Sequence, residues 1–78
     1  MFRIELTPEA LEDIGLFRKY ERSRIFEAIE KQLKHQPAHE TRNRKKLRPN
    51  KIAEWELRVD NFRIFYDIYQ NEKTVKNR

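Results

Sequence analysis

The stretch Glu54–Ile68 constrains this chain more than any other. Apolar residues at Trp55, Leu57 and Val59 alternate with Glu54, Glu56 and Arg58. The alternation resumes after Asp60-Asn61 with Phe62, Ile64 and Tyr66 set against Arg63 and Asp67. A period of two is the signature of a strand with one face in the core, and Asp and Asn tolerate the positive φ of a two-residue hairpin turn. With Asp60-Asn61 as the turn, Val59 faces Phe62, Leu57 faces Ile64 and Trp55 faces Tyr66, all on the buried side. The other face then pairs Arg58 with Arg63, Glu56 with Phe65 and Glu54 with Asp67.

That register sets two guanidiniums side by side. Their repulsion costs tenths of a kcal/mol up to about 1 kcal/mol, which Glu56 is placed to offset. The same pair makes a fork for phosphate or carboxylate. Both readings stand at this point: an anion site, or two ordinary residues of a wet strand face. Glu54 and Glu56 divide similarly, between a general base and a counter-charge for the arginines.

Ahead of the hairpin runs Arg42–Lys51, with six cations in ten positions. The charge of the chain is accordingly uneven. Residues 1–40 hold seven cations and eight acids, a net −1, whereas residues 41–78 hold eleven cations and five acids, a net +6. Such a half attracts polyanions, nucleic acid or an acidic protein, without identifying which. The run reads as a loop over residues 36–52. Its cations Arg44, Lys45, Lys46, Arg48 and Lys51 are candidates for a counterion-releasing surface, with a solvated loop as the plainer alternative. Tyr69, on the arginine face, either stacks on a base or covers the sheet.

The rest of the chain reads as scaffold. Phe2–Leu6 alternates as a half-buried strand. Thr7-Pro8 opens a helix with Thr7 as N-cap, and Leu11, Ile14, Phe17 and Tyr20 fall on one face with Gly15 in the middle. A second helix runs from about Glu21 to His35, with Ile25, Phe26, Ile29 and Leu33 inward, until Pro37 ends it. Glu27–Lys31 and Glu30–Lys34 are spaced for ion pairs on its wet face. Tyr69–Thr74 is a second turn, and Thr74-Val75-Lys76 opens a third strand that looks cut short.

With 78 residues, 40% of them charged and no cysteine, the chain has room for one small domain without disulfide support or thiolate chemistry. His35 and His39 are too few for a metal site, and nothing implies a cofactor. No stretch is apolar enough to span a membrane and no signal-peptide pattern opens the chain, so the cytoplasm is the expected compartment and no membrane partner is expected.

Lys46-Leu47-Arg48 followed by Glu54–Val59 and Phe62–Ile68, in the order strand, helix pair, basic segment, hairpin, resembles the RelE/ParE-type toxins of bacterial type II toxin–antitoxin systems. The resemblance runs from Phe2 to about Val75. It implies an α/β (α+β) fold, β-α-α-β-β(-β), with two helices on a small antiparallel sheet. Residues 1–78 would form a single RelE/ParE-like domain whose C-terminal strand is incomplete. The implied function is that of a toxin, active or degenerate, with a cognate acidic antitoxin as partner.

An active member of the ribonucleolytic branch would be a metal-independent mRNA endoribonuclease (an mRNA interferase) that binds RNA on the ribosome. The alternatives are a non-catalytic inhibitor of DNA gyrase and an inactive remnant that still binds its antitoxin. By motif position, Arg63 corresponds to the arginine on the scissile phosphate, Arg58 to its partner, and Lys46 and Arg48 to the RNA-contacting basic segment. Glu54 is the candidate base. The sequence departs from the family pattern at Glu54 and Glu56, on the first hairpin strand, where some ribonucleolytic relatives carry lysines. It departs again at Asp60, which replaces the turn glycine, and in the last strand and tail, which lack the further Arg, His or Tyr groups.

Overall fold

Thr7 converts the first strand into the first helix. Its Oγ1 accepts from Ala10 N–H at 3.1 Å and Pro8 follows at the first helical position. In the computed structural model, which describes residues 1–78, the order is β1 (Arg3–Leu6), α1 (Pro8–Gly15), α2 (Lys19–Leu33), β2 (Arg44–Lys46), β3 (Trp55–Val59), β4 (Phe62–Tyr69) and β5 (Thr74–Asn77). The strands form one sheet in the order β1-β5-β4-β3-β2. Its pairs are antiparallel except β1 with β5, which is parallel. The sheet is therefore mixed, and the helices pack on it in an α+β arrangement. No helix is long and apolar enough to cross a membrane.

The core is what the two periodicities dictate. Ile25, Ile29 and Leu33 from α2 and Ile14 from α1 meet Trp55, Leu57, Val59, Tyr66 and Val75 from the sheet in one apolar cluster. Trp55 and Tyr66 stack across the β3–β4 pair with centroids 6.0 Å apart. Phe17 packs on Phe62 at 4.7 Å. The expected hairpin register holds at every rung from Trp55↔Tyr66 to Val59↔Phe62. Asp60 takes φ 55° at the turn, and Arg24 of α2 grips its carboxylate with bonds of 2.6 and 2.8 Å. The paired acids and lysines of α2 form as spaced, Glu27–Lys31 at 3.3 Å and Glu30–Lys34 at 2.8 Å.

Four features differ from the sequence reading. α1 stops at Gly15, and Leu11, Leu16 and Tyr20 are exposed, Leu16 by 85%. Of the expected face, Ile14 and Phe17 pack on the sheet side, Phe17 against Phe62. Phe26 likewise sits at the margin of the α2 stripe, exposed. Residues 36–52 are not one open loop. Arg44–Lys46 form β2 against β3, and Leu47 N–H continues the ladder to Glu54 O at 2.8 Å. Finally, β5 is an interior strand, hydrogen-bonded to β4 on one side and β1 on the other. That parallel partner is more than sixty residues away in sequence, beyond what local patterning reveals.

Candidate functional site

The outer face of the sheet carries the side chains of alternate strand positions. In β3 these are Glu56 and Arg58, in β4 Arg63, Phe65, Asp67 and Tyr69, and in β2 Lys45 opposite Glu56. Two groupings of charged residues arise, one on this face and one at its end.

The first is at the turn end. Arg58 and Arg63 are directly paired, as expected. Between them stands Glu56, whose Oε1 is 3.3 Å from Arg58 Nε and 3.4 Å from Arg63 Nε. The Glu56 side chain is only 8% exposed, although it lies on the outer face. Phe65 opposite it and the two guanidinium stems cover it. The fork thus holds an internal carboxylate, which gives the like-charged pair its compensation.

The second grouping lies at the other end of β3, in a groove of about 380 Å³ lined by Lys46, Arg48, Lys51, Glu54, Asp67 and Arg78 among others. Asn50 builds its wall. Asn50 Oδ1 accepts from Ile52 N–H at 2.7 Å and Ala53 N–H at 3.1 Å, while Nδ2 donates to Arg48 O at 2.7 Å and Ala53 O at 3.0 Å. Such side-chain-to-backbone bonds replace the ladder where the chain reverses. The tight turn holds Arg48 and Lys51 out to solvent. Asp67 closes the groove, with Oδ1 accepting from Glu54 N–H at 2.8 Å and Oδ2 from Arg78 Nε. The bond to Asp67, reinforced by its charge, raises the Arg78 guanidinium above its ordinary pKa, with Tyr69 adding a smaller effect.

Arg44 departs from the expected free cation. It is 8% exposed and on the core side of β2, opposite Leu57. Its Nη1 donates to Gln32 O at 2.6 Å and Gln32 Oε1 at 3.0 Å, and its Nε to His39 O at 3.0 Å. It satisfies carbonyls around the negative end of α2 and ties down the segment that follows, so it presents no charge to a polyanion. Tyr66 works beside it, donating its hydroxyl to Pro37 O at 2.8 Å, and burial pushes its phenol upward in pKa.

Lys45, Lys46, Arg48, Lys51, Arg58, Arg63, Glu54 and Tyr69 are exposed to solvent. They do not converge on one point. Arg58 and Glu54 are four residues apart along the chain, about 13 Å at strand spacing. Asp67, Arg78 and Asn50 were not singled out as site residues from the sequence. The pairing of Asp67 with Glu54 was the available signal for the first. The other two depend on contacts distant in sequence or on a turn that only the fold defines.

The fold is two helices on a mixed sheet, with a basic turn leading into an arginine-bearing hairpin. The model of the ParE toxin of the type II toxin–antitoxin system parDE matches residues 4–76, and the chain belongs to this family. It is accordingly the toxin of a type II pair, with an antitoxin as its partner. No curated protein matches the chain significantly.

Proposed function

We propose that this toxin acts by occupying its target rather than by cutting RNA, and that the target is DNA gyrase. The observation that carries this reading is Glu56 lodged between Arg58 and Arg63. Cleavage of RNA through its 2′-hydroxyl needs unengaged positive charge for the phosphorane, with a base and an acid within hydrogen-bond reach of the same phosphate. Here the arginines already share a carboxylate. Glu54 stands about 13 Å of backbone away from Arg58, at the other end of β3, in a separate grouping of charges. Tyr66 is turned into the core, and both histidines lie in the segment after α2, beside Phe2 and Gln70. A rigid face of mixed charge suits docking on a protein. The family's name agrees with this reading.

A second reading, ribosome-associated mRNA cleavage, is favoured by the groove in which Glu54 stands among Lys46, Arg48 and Lys51. Expression in bacterial cells separates the two. Plasmid topology shifting toward relaxed forms while messages stay intact supports gyrase. Messages cut at discrete sites with unaltered plasmid topology support the ribonuclease.

A further inference from the structure

The turn between β2 and β3 is held firmly for a segment outside strand and helix. Asn50 alone makes four hydrogen bonds across it, to the amides of Ile52 and Ala53 and the carbonyls of Arg48 and Ala53. Pro49 fixes one further φ beside it. Ala53 is buried at the foot of the turn, whereas its neighbour Ile52 is 59% exposed. Asn50 holds Ile52 through the backbone, so the turn does not depend on the isoleucine side chain. Among the large apolar side chains of residues 41–78, only Ile52 and Tyr69 are exposed.

A single exposed apolar residue calls for no explanation. Ile52, however, lines the groove of about 380 Å³ together with Lys46, Arg48 and Lys51, all of them exposed. An apolar centre on a rigid turn, with charge around it, has the composition of a recognition anchor and its rim. No aromatic residue lines the groove, so it offers no platform on which a base could stack. Glu54 stands in it as well, a charge that opposes a phosphate backbone.

We propose that the Arg48–Ile52 turn is the anchor by which the chain grips a folded protein. Ile52 meets an apolar patch on that protein, and Lys46, Arg48 and Lys51 meet carboxylates around the patch. The inference rests on the gyrase reading, and gyrase is the protein that would carry the patch. Because Asn50 preorganises the turn, little conformational freedom is lost on docking. The two parts of the surface act on different rates. Attraction by the rim governs how fast the partners meet, and desolvation of the anchor governs how long they stay.

The test measures binding of the purified whole chain to immobilised DNA gyrase, with supercoiling and message cleavage followed in parallel. Ile52→Ser should raise the dissociation rate about tenfold or more, and Ile52→Val should recover most of that loss. Lys51→Ala should slow association and flatten its dependence on salt, with dissociation changed by about twofold at most. Ile52 is exposed, so neither substitution there should move the melting temperature by more than about 4 °C. A wild-type chain that neither binds nor inhibits gyrase would sink the gyrase reading, and this inference with it. Wild-type binding that Ile52→Ser leaves unchanged would overturn the anchor alone. Message cleavage lost in Ile52→Ser, with gyrase untouched by either chain, would assign the turn to RNA instead.

Discussion

Glu56 Oε1 lies 3.4 Å from Arg63 Nε across the β3–β4 pair, and this contact sets the character of the basic face. It removes one unit of charge from a pair of arginines while holding both in place. Replacing Glu56 with Gln keeps the shape and releases the guanidiniums. Stability should fall by about 1 kcal/mol or less, since both arginines are substantially exposed. Binding to a generic polyanion such as heparin should tighten, and the salt dependence should steepen by about one to two ion equivalents. Salt titrations on the wild type and Glu56→Gln check this; unchanged affinity and slope would contradict it.

Arg44 and Lys45 are neighbours with opposite fates. Arg44→Ala removes three hydrogen bonds to carbonyls of Gln32 and His39 and should cost about 2–3 kcal/mol in urea denaturation. Lys45→Ala should alter stability by about 0.5 kcal/mol at most and lower the salt slope of polyanion binding by about one. Comparable stability losses at the two positions would show that Arg44 is not a strap.

The Arg24–Asp60 pair makes the hairpin tip sensitive to acid. Hydrogen bonding from Arg24 holds the Asp60 carboxyl below its ordinary value, against a smaller opposing effect of desolvation, with the charge of Arg24 adding to the lowering. A depressed folded value means that the contribution is complete above the unfolded carboxyl range, near pH 4, and is lost as pH falls through the folded value. Melting temperatures of the wild type and Arg24→Ala should therefore differ by a constant amount from neutrality to about pH 4 and converge below it. A difference that widens in acid would have the wrong sign.

Gly15 closes α1 without positive φ, and a Cβ built on it meets no atom within 4 Å. Gly15→Ala should stabilise the chain by about 0.5–1 kcal/mol, through helix propensity and a less flexible unfolded chain. In a domain of this size that is a melting temperature roughly 2–8 °C higher, measurable by circular dichroism. A lower value would mean that the helix end needs glycine for a reason absent from its packing.

Legibility in the sequence followed the range of the interactions. The hairpin register was readable because both strands alternate in phase about Asp60-Asn61, so that a slip of one residue would invert every apolar side chain. The start of α1 was readable from Thr7-Pro8, and the buried stripe of α2 from Ile25, Ile29 and Leu33. Arg44 was not, because a cation within a basic run looks solvated until the carbonyls of Gln32 and His39 are brought to it by the fold. The parallel pairing of β1 with β5 was equally hidden, since no local pattern ties Arg3–Leu6 to Thr74–Asn77. At the site, the meeting of Arg58 and Arg63 was legible. The burial of Glu56 between them was not, because it depends on Phe65 and the guanidinium stems closing over it.

The most direct test of a binding toxin against a cleaving one is a supercoiling assay with purified DNA gyrase and the purified chain, run beside translation of a defined message. Inhibition of supercoiling that rises with toxin concentration, while the message remains whole, is the predicted result. Discrete cleavage of the message, abolished by Glu54→Gln, with supercoiling unaffected at every concentration, would contradict it and place a working base in the Lys46–Arg48–Glu54 groove.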